Sequence, residues 1–262
     1  MDLRADGLTV RYGARQVLSG VSCALPPGTQ ALVLGRSGAG KTTLVKALAG
    51  LVRPTEGRVL WDGQDAARLT AAERREQQAS FGMVFQTDAL FDSMTVLENV
   101  MAPLTRRHVP EAEARARASD VLRAVGLSDA ADTLPERLSG GMKKRAGIAR
   151  ALAARPSVVL ADDPFAGLDP GTARQVARVL LDVSQGGTLL VVATEAPMDL
   201  PLPRWLYLRS GRLVHDGPPR PSGRMHRTRC RHDAKRASTS RCHVAPPGGR
   251  GHSRAAAESA PG

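Results

Sequence analysis

Apolar and polar positions along the chain change period several times, and each change marks an element. Leu8, Val10 and Tyr12 stand two apart with polar residues between them, and residues 17–25 continue in the same extended style. Pro26-Pro27-Gly28 turns the chain into the apolar run Ala31-Leu32-Val33-Leu34, after which Leu44, Val45, Ala47 and Leu48 fall at helical spacing. Arg53 to Gly57 reads as a turn and Arg58 to Gly63 as a strand with a further turn. A polar helix follows over 70–79, then a buried strand from Phe81 to Phe85 that ends at Gln86. Residues 94–155 are mostly helical by pattern, clearest from Glu111 to Val125 and from Gly141 to Ala154, with Gly126 and Pro135 as punctuation. Ser157 to Ala161 is short and wholly apolar, as a central parallel strand requires. A helix over about 170–185 and a strand from Thr188 to Ala193 come next. Arg204 to Leu208 and Arg212 to His215, joined through Ser210-Gly211, read as a hairpin. The order of elements predicts an α/β fold: a mainly parallel core sheet, an antiparallel N-terminal part, and a helical insert over about 87–156.

From Pro218 onward this patterning stops. Pro, Gly, Arg, Ser and Ala dominate residues 218–262, so the expectation is a folded domain over 1–217 and a disordered basic tail. The formal net charge of +12 divides accordingly: the tail holds ten Lys/Arg against two Asp/Glu, which leaves +4 for the domain. Clustered arginines attract phosphates of nucleic acid or acidic lipid, but without aromatics to stack on bases only nonspecific attraction is expected. Out-of-frame reading of a GC-rich gene would give a similar composition. Cys230, His232, Cys242 and His243 do not have the spacing of a zinc finger. Three cysteines make no disulfide framework, no stretch approaches the length of a membrane span, and charges occupy the first six residues. These features predict a soluble, cytoplasmic chain.

Between the apolar run and the first helix lies Gly35-Arg36-Ser37-Gly38-Ala39-Gly40-Lys41-Thr42-Thr43. Strand, glycine-rich turn and helix in this order form a phosphate-binding P-loop. Glycines let successive backbone N–H groups turn inward around phosphate oxygens, and the helix directs its positive end at the same anion. Lys41 reaches the β- and γ-phosphates, and the Thr42 hydroxyl is a ligand for Mg²⁺. The expected ligands are a nucleoside triphosphate and Mg²⁺.

A P-loop alone does not choose among kinases, GTPases, helicases and transporters, but four further stretches do. Leu138-Ser139-Gly140-Gly141-Met142, opening a helix, resembles the signature of ATP-binding cassette (ABC) proteins. Val158 to Asp162 resembles a Walker B strand, Gly167-Leu168-Asp169 a D-loop, and Gln86 the Q-loop glutamine. The resemblance covers residues 3–217. It implies ATP as the nucleotide, with Tyr12 stacking on adenine; the alternative for Tyr12 is an ordinary strand residue packed on the sheet. It also implies that Thr42, Gln86 and Asp162 hold Mg²⁺. Ser139, Gly140, Gly141 and Asp169 would close on the ATP of a second copy, giving a head-to-tail homodimer with two shared sites.

Two positions depart from the family pattern. Where the family has a glutamate that polarises the attacking water, this chain has Asp163, one methylene shorter. Where the family has a histidine facing the γ-phosphate, it has Glu195, whose ionised carboxylate would repel that group. Glu195 is expected to be protonated, turned away, or itself the base. Catalytic assignments therefore fall on Asp163, Gln86 and Glu195, with slow turnover a consequence.

The segment from Val84 to Val100, followed by Pro103-Leu104, and the basic continuation Met142-Lys143-Lys144-Arg145 resemble the ATPases of Mla/Mce phospholipid transporters. That resemblance implies a membrane permease, an Mce-type substrate-binding partner, and a location on the inner face of the plasma membrane. Alternatively, Leu90, Phe91, Met94 and Val96 are core of the helical insert. Other readings are the ATPase of an amino-acid or lipoprotein transporter, a nucleotide-gated subunit that barely hydrolyses, or a soluble cassette acting on ribosomes or DNA. A single cassette without a coiled-coil insertion weighs against the last, and no specific nucleic acid is expected.

Overall fold

In the computed structural model, residues 1–86, 90–195 and 200–219 are described. The tail expectation, with the four Cys and His positions considered for zinc, lies outside the described residues beyond Pro219.

Two sheets frame the domain. β1 (Leu3–Tyr12), β2 (Arg15–Leu25), β4 (Glu56–Trp61) and β5 (Gln64–Asp65) form an antiparallel sheet in the order β2-β1-β4-β5. β1 is longer than its alternation suggests because the buried set changes parity, from Leu3 and Ala5 to Leu8 and Val10. The change occurs at Gly7, whose φ of +59° inserts a bulge; Gly20, at +62°, does the same in β2. A reading by strict alternation therefore starts the strand at Leu8.

The second sheet has the order β10-β9-β3-β8-β7-β6. β3 (Gln30–Leu34), β6 (Phe81–Val84), β7 (Val158–Asp162), β8 (Leu189–Thr194) and β9 (Arg204–Arg209) run parallel, and β10 (Arg212–Gly217) returns antiparallel to β9. Every residue of β7 and β8 is buried, which explains their uninterrupted apolar runs. Trp61 joins the two sheets. It is wholly buried, its ring lies 5.1 Å from that of Phe81, and its indole N–H donates to the Leu48 carbonyl at 2.8 Å. That carbonyl belongs to the last residue of α1 (Lys41–Leu48), so one side chain fills core and satisfies a helix end.

α2 (Ala71–Gln78) precedes β6, and the insert between β6 and β7 is helical: α3 (Val96–Thr105), α4 (Glu111–Ala124) and α5 (Gly140–Ala153). Capping boxes start α2 at Thr70/Glu73 and α3 at Thr95/Glu98. The end of α4 is capped from outside: Arg145 of α5 donates to the Val125 and Gly126 carbonyls at 3.0 and 2.9 Å. Gln175 of α6 (Pro170–Gln185) donates to Ala124 at 3.1 Å.

The expectation for residues 90–96 divides. Val96 is core, whereas Phe91 and Met94 are 47% and 37% exposed. The wholly buried Asn99 holds that turn, donating to the Phe91, Met94 and Thr95 carbonyls at 3.0 Å each and accepting from the Phe91 N–H at 2.8 Å.

Candidate nucleotide site

The glycine-rich loop leaves β3 and enters α1 beside the ends of β7 and β8. Gly35 packs directly on β9, where a Cβ would stand 2.6 Å from the Leu208 carbonyl oxygen. Gly40, at φ +102°, is the N-cap of α1; a Cβ there would meet Leu18 Cδ2 at 2.7 Å. A side chain at either position would collide with a neighbouring strand. Gly38 is different, since its φ of +74° needs glycine while the space around it is open. Ala39 faces the core and Arg36 is exposed. No side chain caps α1, so the first N–H groups of the helix remain available to an anion.

Tyr12, Ser37, Gly38, Gly40, Lys41, Thr42, Thr43, Gln86, Asp162, Asp163 and Glu195 come together around one open cleft of about 320 Å³, with Arg15 and Val17 on its β2 side. Lys41 is 9% exposed and folds back on its own loop, donating to the Gly35 and Arg36 carbonyls at 2.8 and 3.2 Å. Its ammonium also stands 3.9 Å from the Glu195 carboxylate. The Thr42 hydroxyl donates to Asp162 at 3.0 Å, and Asp162 is almost wholly buried. Burial pushes the Asp162 carboxyl above its usual value, against the opposing pull of the Thr42 hydrogen bond and of Lys46. Tyr12 is 52% exposed at the end of β1, which disfavours its reading as a packed strand residue.

Ser139, Gly140, Gly141 and Asp169 do not line this cleft. Ser139 caps α5 through its hydroxyl, which accepts from the Met142 N–H at 3.3 Å. Asp169 caps α6, accepting from the Gly171 and Thr172 N–H groups at 2.9 and 3.0 Å. Within one chain these residues therefore have no contact with the P-loop space. The Q-loop is described as far as Gln86, which is exposed; residues 87–89 lie outside the described part.

Arg15 and Val17 are the cleft residues that sequence reasoning missed. They fall in a strand whose role shows only when β2 is seen against Gly40.

A P-loop between β3 and α1, facing the buried aspartate that ends β7 with β8 between the two strands, defines a P-loop nucleoside-triphosphate-binding fold. The chain belongs to the ABC transporter family, which matches residues 18–166. It is 40% identical over 212 residues to the methionine import ATP-binding protein MetN of Corynebacterium jeikeium, covering 79% of this chain and 58% of that one. MetN of Cereibacter sphaeroides is 42% identical over 220 residues, covering 82% and 62%. The chain thus spans about three fifths of the length of these curated relatives. Among solved structures, the dimeric MJ0796, a bacterial ABC transporter cassette, superposes with a TM-score of 0.78 at 30% identity, covering 84% of this chain and 99% of that one. A dimeric post-hydrolysis state of MJ0796 bound to ADP and Pi gives a TM-score of 0.77. The curated relatives are named for methionine import rather than phospholipid transport. The expectation of a lipid substrate and an Mce-type partner therefore finds no support, and the amino-acid alternative is favoured.

Proposed function

We propose that this chain is the ATP-binding and ATP-hydrolysing subunit of an ABC importer for an amino acid, of the class named in its methionine-import relatives. The observation that carries the nucleotide reading is the meeting of Lys41, Thr42, Asp162 and Asp163 around an uncapped helix N-terminus. The loop amides and Lys41 would bind the phosphates, and Tyr12 is exposed at the rim where a base can stack. A hydroxyl, a buried carboxylate and the Gln86 amide make an oxygen donor set suited to Mg²⁺, which normally shares its shell with phosphates and water. Bound Mg²⁺ would neutralise charge developing on the phosphates. Asp163 would orient the attacking water, and Gln86 would report nucleotide to the helical insert.

Ser139, Gly140, Gly141 and Asp169 lie away from their own P-loop, which supports a reading in which they close on the nucleotide of a second copy. Phe91 and Met94, held outward by Asn99, would receive the membrane permease. No helix among the described residues is long and apolar enough to cross a membrane, so attachment to the inner membrane face would run through that permease.

Titration with Mg-ATP tests the nucleotide reading: the native protein binds, and Lys41→Ala loses affinity by about 100-fold or more, since backbone amides alone do not balance the phosphate charge. Unchanged affinity in Lys41→Ala overturns it. The transported class is tested by the permease that co-purifies from membranes and by labelled methionine uptake in cells lacking this protein.

A further inference from the structure

Lys144 lies on the second turn of α5 and is only 6% exposed, although lysine is seldom buried without a partner. Its ammonium donates to the backbone carbonyl of Asp163 at 3.1 Å. The same carbonyl accepts the Ala166 N–H at 3.3 Å, and the Asp163 N–H donates to Ala193 of β8 at 2.8 Å. Asp163 itself sits at φ +47°, in the left-handed region that costs a non-glycine residue about 1 kcal/mol or more. Such a conformation persists only when its surroundings determine it, and here β8, the following turn and α5 each supply a bond. The first turn of α5 also packs on the far end of this loop: a Cβ on Gly141 would lie 3.5 Å from Leu168.

We propose that Lys144 is a positioning residue for ATP hydrolysis, fixing the Asp163 carbonyl from α5 and thereby aiming the Asp163 carboxylate into the cleft. The helix that begins with Ser139 is thus tied to the carboxylate beside the P-loop. A lysine of merely structural value would lower stability and leave turnover per folded molecule unchanged. The inference rests on the reading of Asp163 as the water-orienting group.

The test compares native chain, Lys144→Met, Lys144→Gln and Asp163→Asn by Mg-ATP titration, steady-state hydrolysis and thermal melting. Lys144→Met removes the donor, and its kcat should fall on the order of tenfold with KM and ATP affinity within about twofold of native. Lys144→Gln keeps a donor without the charge and should recover kcat to within about threefold of native. Unchanged kcat in Lys144→Met overturns the proposal, as does a tenfold fall in Lys144→Gln. If Lys144→Met does not fold, Lys144→Gln alone decides by the same threshold. A native protein that binds ATP but turns over no faster than Asp163→Asn also overturns it and leaves the binding reading standing. Failure of the native protein to bind ATP overturns both.

Discussion

The Lys41 ammonium and the Glu195 carboxylate face each other at 3.9 Å, the first buried and the second about half exposed. The cation that should meet a γ-phosphate is therefore already paired with an anion from the end of β8. A γ-phosphate entering the cleft must displace Glu195 or accept like charge beside it, whereas a diphosphate need not reach so far. Glu195→Gln should tighten ATP binding relative to ADP on the order of fivefold, the scale of a solvent-accessible pair worth up to about 1 kcal/mol. The double change Asp163→Glu with Glu195→His should raise kcat more than either single change, because both groups act on one transition state. Equal ATP/ADP ratios in native protein and Glu195→Gln count against the pairing. A fall in turnover with Glu195→His would instead mark Glu195 as the base.

Assembly is the next expectation. Ser139→Arg places a long side chain at the N-terminus of α5 and should abolish ATP-dependent dimerisation. Nucleotide affinity should hold, because Ser139 does not line the cleft of its own chain. Light scattering with Mg-ATP checks this, and a dimer that survives in the variant rules out closure of the signature on nucleotide.

Gly35→Ala should weaken both fold and site. The new methyl would lie 2.6 Å from the Leu208 carbonyl oxygen, a collision with backbone that no rotamer relieves. A cost of about 1–3 kcal/mol is expected in denaturant unfolding, with a clear loss of ATP affinity. Gly38→Ala has open space around it, so its strain should be confined to its left-handed backbone.

Acid should loosen three helix starts. Hydrogen bonds from Thr70 hold the Glu73 carboxyl below its usual value, those from Thr95 do so for Glu98, and those from Thr172 for Asp169. A depressed pKa contributes stability that is full above the ordinary carboxylate range, about 4, and is lost as pH falls through the lower folded value. Asp162 acts in the opposite sense, since burial raises its pKa and protonation favours the fold. Melting temperature without Mg²⁺ should therefore decline below pH of about 4. The decline should be shallower in the Glu73→Gln, Glu98→Gln variant, and an unchanged slope would contradict the capping assignment.

How much of this was legible beforehand depended on whether the signal was local. The P-loop, the signature and the β7 strand are contiguous, with steric or electrostatic reasons built into adjacent residues, and they appear where their patterns place them. β1 was read short because Gly7 breaks its alternation with a bulge. Partnerships such as Thr42 with Asp162, Arg145 with the end of α4, or Lys144 with Asp163 join residues far apart in sequence, and no periodicity encodes them. The lipid reading rested on a local resemblance in residues 84–100, and it finds no support among relatives named for methionine import.

The turn at Ser210-Gly211 stands behind the phosphate loop. Gly211 donates to the Ala39 carbonyl at 3.1 Å and accepts from the Ser19 N–H at 2.9 Å, while Gly35 rests on Leu208. Synthesis delivers the glycine-rich loop early and this hairpin last among the described elements. A growing chain on the ribosome thus exposes the P-loop, signature and β7 aspartate before the strands that back the loop have been made. The phosphate loop thus has its full set of backbone neighbours only once chain made some 170 residues later has joined the sheet behind it, roughly the separation of Ala39 from Gly211.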